Sequence, residues 1–171
     1  MKTLTISLCF FLVAVFFSFA QNNDVEKSLE IIKTFKEKDA GVASFFESSY
    51  GYAVLPSIGK GGIGVGGARG KGTVFQGGTP MGDVTMTQVT VGLQLGGQKY
   101  AEVIFFETKD AFTDFVETNY EFAAQVSAVA LTSGASANAK YNHGVLVFTE
   151  ALGGLMYEAS IGGQKFKVNK Y

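Results

Sequence analysis

Between Gly59 and Gly72 the chain places eight glycines in fourteen residues. A stretch this dense in glycine makes a poor helix, because each glycine gives up backbone entropy and leaves no side chain to pack. Ile63 and Val65 alternate with Gly64 and Gly66, the period of a strand. Glycine inside a strand marks a bend or a close backbone approach. The stretch predicts a sharply bent, closely packed strand pair. A second reading stays open beside it. Lys60, Arg69 and Lys71 lie together with no acid between Glu47 and Asp83, so backbone N–H groups and three cations would make a loop suited to a phosphate headgroup.

Nucleotide-binding readings of the same glycines fail on context. The pattern G-x-G-x-x-G occurs at Gly62–Gly67 and again at Gly59–Gly64. A dinucleotide site needs a helix N-terminus after its glycines, and Gly72-Thr73-Val74-Phe75 reads as strand. A phosphate-binding P-loop needs Gly five residues before Gly70-Lys71. That position holds Val65, and Gly72 stands where Ser or Thr is required.

Around this stretch the hydrophobic period defines the other elements. Val25, Leu29, Ile32 and Phe35, widened by Ile31, predict an amphipathic helix from about Asp24 to Lys38. Its stripe either covers a sheet or lies in a membrane interface. Residues 43–49 suggest a short second helix, and Tyr50 to Pro56 a strand that Pro56 closes. Residues 77–82 read as a turn, 84–95 as a long strand and 122–131 as another. The run Ala101, Val103, Ile104, Phe105 and Phe106 predicts a central strand buried on both sides. Thr108 caps a helix whose inner face is Ala111, Phe112, Phe115 and Val116. Gly153-Gly154 reads as a hairpin turn, and 166–171 closes the chain. Leu95-Gly96-Gly97-Gln98-Lys99-Tyr100 echoes Ile161-Gly162-Gly163-Gln164-Lys165-Phe166, which reads as one turn used twice. The expected fold class is α+β: a strongly bent antiparallel sheet, barrel- or sandwich-like, with the N-terminal amphipathic helix and one further packed helix.

The first twenty residues predict a signal peptide. Lys2 precedes an uncharged apolar run from Leu4 to Phe17, and Ser18-Phe19-Ala20 supplies small residues for cleavage after Ala20. Cleavage would leave a single domain, residues 21–171, without Cys9, the only cysteine. That domain has 13 basic and 15 acidic residues, far from the basic excess of a nucleic-acid protein. The expected location is periplasmic or extracellular, peripherally attached to a membrane.

Chemistry is sparse. His143 is the sole imidazole, in a turn-like Asn142-His143-Gly144, and its expected role is structural. Ser48, Ser57 and Ser160 lie in no G-x-S-x-G setting. Glu158, inside a small and apolar stretch, is either an outward-facing strand residue or a buried, hydrogen-bonded organiser of the core. No nucleophile, base and oxyanion set assembles, so neither an enzyme, a cofactor nor a metal is expected.

Residues 50–56, then Lys60 to Gly67, Val91 to Gln98 and Gly153 to Gly163, occur in an order that resembles the SYLF domain, across the chain from about Asp24 onward. The last segment is similar to the bacterial, exported branch. The resemblance implies lipid binding, since eukaryotic SYLF domains bind phosphoinositides through an N-terminal amphipathic helix and basic residues, and some bundle actin. Carried over, the helix is Asp24 to Lys38 and the cations are Lys27, Lys33, Lys36, Lys60, Arg69 and Lys71. Eukaryotic members carry a Trp after the glycine-rich region, and this chain has none. An exported chain meets neither cytoplasmic phosphoinositides nor actin. The expected partner is therefore an anionic lipid or membrane surface. The alternative is a structural or protein-interaction module holding an envelope protein.

Overall fold

In the computed structural model, residues 24–92, 98–124, 126–153 and 161–171 are described. The expected signal peptide and Glu158 lie outside them, as do the Gly96-Gly97 turn and the hairpin arm after Gly153. Helix α1 spans 24–38 and α2 spans Val42–Ser48. Strands β1 (Gly51–Gln76), β2 (Thr79–Gly92) and β3 (Gln98–Phe106) follow. Then come α3 (Lys109–Glu117), β4 (Val129–Ala130), a 3-10 turn (Ala135–Asn138), β5 (Val145–Ala151) and β6 (Lys165–Lys170).

β1 is one strand of 26 residues, so Pro56 does not close it. Pro56 falls where the register with β3 shifts, between Leu55 and Ile58, and a bulge tolerates a residue without an N–H. The N-terminal half of β1 pairs with β3 and its C-terminal half with β2. The two halves also approach each other. A Cβ on Gly70 would lie 2.6 Å from Cγ1 of Ile58, and one on Gly72 would overlap the Val54 carbonyl. The bent-strand expectation holds at these two positions, and the glycines form strand rather than a cationic loop.

Among the described residues six strands run in the order β4-β5-β3-β1-β2-β6. The sheet is bent but open, so it is not closed into a barrel. All its pairs are antiparallel except β4–β5, which is parallel. Residues 77–78 alone make the β1–β2 turn, both with positive φ, and Pro80 to Gly82 already belong to β2. The strand expected over 122–131 shrinks to the two residues of β4. Its backbone is used irregularly instead, with Phe122 N–H donating to the Gln164 carbonyl and Gly163 N–H to the Phe122 carbonyl.

β3 lies inside the sheet and is buried on both sides, as its apolar run predicts. On one face α1 and α2 cover Tyr52, Val54, Phe75, Val103, Phe105 and Phe148. On the other, α3 and the C-terminal segment cover Leu55, Val84, Met86, Ile104 and Phe106 with Phe112, Phe115 and Phe166. Thr108 caps α3 by accepting from Ala111 N–H at 3.2 Å.

Asp39 fixes the α1–α2 corner. Its Oδ2 accepts from the Ser136 N–H at 2.7 Å, and its Oδ1 from Ser136 Oγ at 2.8 Å and the Gly41 N–H at 3.0 Å. The Ser136 N–H, foremost among these donors, holds the carboxyl below its ordinary value. A depressed carboxylate adds stability at neutral pH that disappears as pH falls through its folded-state value. Asp39→Ala is expected to cost about 2 kcal/mol at pH 7, the scale for losing charge-assisted hydrogen bonds, and less at pH 3. Urea unfolding at the two pH values checks this.

Candidate functional site

Lys27 and Asp24 stand in the first turn of α1, beside the bulge that carries Pro56 and Ser57. Arg69 and Lys71 project from the C-terminal half of β1, which the bend brings to the same place. Asp24, Lys27, Pro56, Ser57, Arg69, Gly70 and Lys71 line a cavity of about 390 Å³. Arg69 and Lys71 are two residues apart on one strand, so their side chains leave the same face. Three cations against one carboxylate give the cavity the charge of an anion site. Arg69 offers a planar fork and the two lysines offer compact point charges. Three of the six cations expected from the sequence thus come together.

The other three are elsewhere. Lys60 lines a separate cavity of about 400 Å³ with Gly59, Gln98, Lys99, Leu152 and Gly153, and its cationic neighbour there, Lys99, was not among the expected residues. Lys33 is exposed and pairs with Glu37 at 3.7 Å along α1. Lys36 sits over the Phe46 ring, 5.2 Å from its centroid. The apolar side of α1 is also rotated from the expected stripe. Leu29 is 51% exposed, whereas Ser28 is fully buried and donates to the Asp24 carbonyl at 2.8 Å. Phe35, fully buried, with the partly buried Ile31 and Ile32, packs on the sheet. In this fold the helix uses its apolar side for packing.

A second polar feature lies inside the core. Glu102 on β3 is wholly buried, and burial pushes its carboxyl up to about 8. Gln164 Nε2 donates to Glu102 Oε2 at 3.0 Å and to the Tyr100 hydroxyl at 3.1 Å. Burial, then the nearby Glu102, raises the Tyr100 phenol. Thr149 stands directly opposite Glu102 in the β3–β5 register. Glu102 Oε1, Gln164 Oε1 and Thr149 Oγ1 are buried without hydrogen-bond partners among the described residues. The lone acid inside the Tyr100–Phe106 run was the signal that could have identified this group.

His143 takes φ of +50° in a tight turn, where Asn142 and Val145 exchange backbone hydrogen bonds of 2.8 and 3.0 Å. It lines a third cavity, of about 410 Å³, with Glu121, Lys140 and an apolar floor that includes Phe122 and Val147. Among the described residues no group of three or more His, Cys, Asp or Glu is placed to hold a metal, and no helix is long and apolar enough to cross a membrane.

Residues 87–171 match the family model Ysc84, described as Las17-binding protein actin regulator. Over 149 residues the chain is 31% identical to "Beta cell expansion factor A" of Aeromonas veronii. That alignment covers 82% of this chain and 53% of the relative, so the chain spans about half the length of the curated relative it matches.

Proposed function

Because the chain belongs to the SYLF-domain family, known for lipid and actin binding, we propose that it is a non-enzymatic, exported domain that binds anionic membrane surfaces through phosphate headgroups. The observation that carries this reading is the convergence of Lys27, Arg69 and Lys71 on one cavity. The apolar run from Leu4 to Phe17, followed by Ser18-Phe19-Ala20, supports export. Export would remove actin as a partner and leave the outer face of a membrane as the source of phosphate.

Flotation of the processed chain, beginning at Gln21, with phosphatidylcholine vesicles containing or lacking phosphatidylglycerol tests the reading. Binding is expected only with phosphatidylglycerol, and it weakens as salt screens the charges. Lys27→Ala, Arg69→Ala and Lys71→Ala together are expected to weaken it roughly a hundredfold, at about fivefold for each cation near an anionic surface. Lys60→Ala with Lys99→Ala should have a smaller effect. Absence of binding to every vesicle would overturn the proposed function.

A further inference from the structure

The β2–β6 register extends the cation site across the sheet. Arg69 stands opposite Thr87, and Thr87 opposite Lys165. Lys71 stands opposite Thr85, and Thr85 opposite Lys167. Directly opposed residues share one face of a sheet. Alternation in Lys165-Phe166-Lys167-Val168 sends Phe166 into the core and leaves both lysines exposed. Four cations thus stand in two rungs across β1, β2 and β6, with threonines between them. Lys27 borders this face through the cavity it shares with Arg69 and Lys71. One rung beyond Arg69–Thr87, Val89 opposes Gly67 and is 77% exposed.

The acids around the face are few and partly engaged. Glu121 pairs with Lys165 at 3.4 Å, Asp24 sits at the cavity, and Asp83, at the far rung, accepts from the Tyr171 hydroxyl at 2.8 Å. An exposed surface pair of this kind is worth little and leaves Lys165 able to change partner.

We infer that the exposed face of β1, β2 and β6 is the membrane-docking surface, laid against an anionic bilayer with Arg69, Lys71, Lys165 and Lys167 over the phosphates and Val89 entering the interface. The inference rests on the proposed function and adds its contact surface. Charge complementarity selects an anionic partner. The exposed valine at the end of the cationic rungs fits a bilayer better than a soluble polyanion, which offers a valine no apolar phase. The helix that would otherwise insert has Phe35 and Ile32 packed on the sheet.

The test is vesicle flotation of the processed chain with phosphatidylcholine–phosphatidylglycerol vesicles. Lys165→Glu with Lys167→Glu is expected to weaken binding on the order of tenfold or more, since it reverses two charges at the surface. Val89→Asp is expected to weaken it severalfold and to make the remainder more salt-sensitive. Lys109→Glu with Lys140→Glu, which changes net charge equally at exposed cations off this face, should have little effect. Circular dichroism confirms that each variant is folded. If the parent binds and the Lys165/Lys167 and Val89 variants bind equally well, the docking face is wrong while the proposed function stands. Loss on Leu29→Asp alone would transfer docking to α1 and overturn the inference. Binding to soluble polyphosphate that matches vesicle binding and ignores Val89→Asp would overturn the bilayer as occupant. A parent that binds no vesicle overturns the function itself.

Discussion

Glu102→Gln is expected to stabilise the protein by roughly 3 kcal/mol at pH 8 and by almost nothing at pH 4, in urea unfolding followed by circular dichroism. The sign follows from proton binding. Glu102 is held at about 8 in the fold against 4.5 as an unperturbed carboxyl. Between those values the unfolded chain loses the proton while the native one keeps it, so stability falls as pH rises and levels off above pH 8. The gap of about 3.5 pH units sets a ceiling near 5 kcal/mol, which relaxation of the site lowers. Glutamine is neutral throughout. Its amide still accepts from Gln164 and brings donors for the bare oxygens of Thr149 and Gln164. A parent whose stability is flat from pH 5 to 8 would refute the buried titration, whatever the variant does.

Among the glycines of the described residues, Gly72→Ala is expected to be the most damaging. The added carbon would overlap the Val54 carbonyl oxygen and lie 2.7 Å from its carbonyl carbon and 2.8 Å from the Leu55 Cα. Those are backbone atoms in a paired strand, with no rotamer to move away. The expected loss is roughly 3 kcal/mol or more, the upper range for overpacking. Gly59→Ala meets nothing within 4 Å and should change stability by less than about 0.5 kcal/mol. Equal midpoints for the two variants would show that the halves of β1 can separate without cost, and the reading of the bend would fail.

These glycines also show what sequence could and could not deliver. Their period of two made a strand legible, and their density made a bend legible. The length of β1 was not, because Pro56 ends most strands and only pairing with β3 reveals the bulge that accepts it. β3 and α3 were legible, since a continuous apolar run and a capped amphipathic turn are local signals. The α1 stripe was legible in period but not in phase. Leu29 fits the spacing, yet the helix settles with Ser28 inward, because the Ser28 hydroxyl is satisfied by the Asp24 carbonyl and so buries cheaply. Of the cations, Arg69 and Lys71 were legible as a local gap in acids, but joining them to Lys27 required the bend. Lys165 and Lys167 carried no such signal. Nothing in a Lys-Phe-Lys alternation says which strand it will lie beside.

That last pairing has a consequence for the order in which the protein matures. Each β2–β6 partner pair joins residues 78 to 88 positions apart, from Thr87↔Lys165 to Gly82↔Lys170. Contacts of such separation close late, after the loop entropy between them has been overcome. A nascent chain stopped short of residue 165 holds Arg69 and Lys71 but presents β2 as a bare edge and leaves vacant the core position of Phe166. The arrival of β6 seals that edge and adds one lysine to each of the two rungs in the same step. Completion of the fold and acquisition of full surface charge are therefore one event, and a clipped or stalled chain would be both sticky and short of two surface cations.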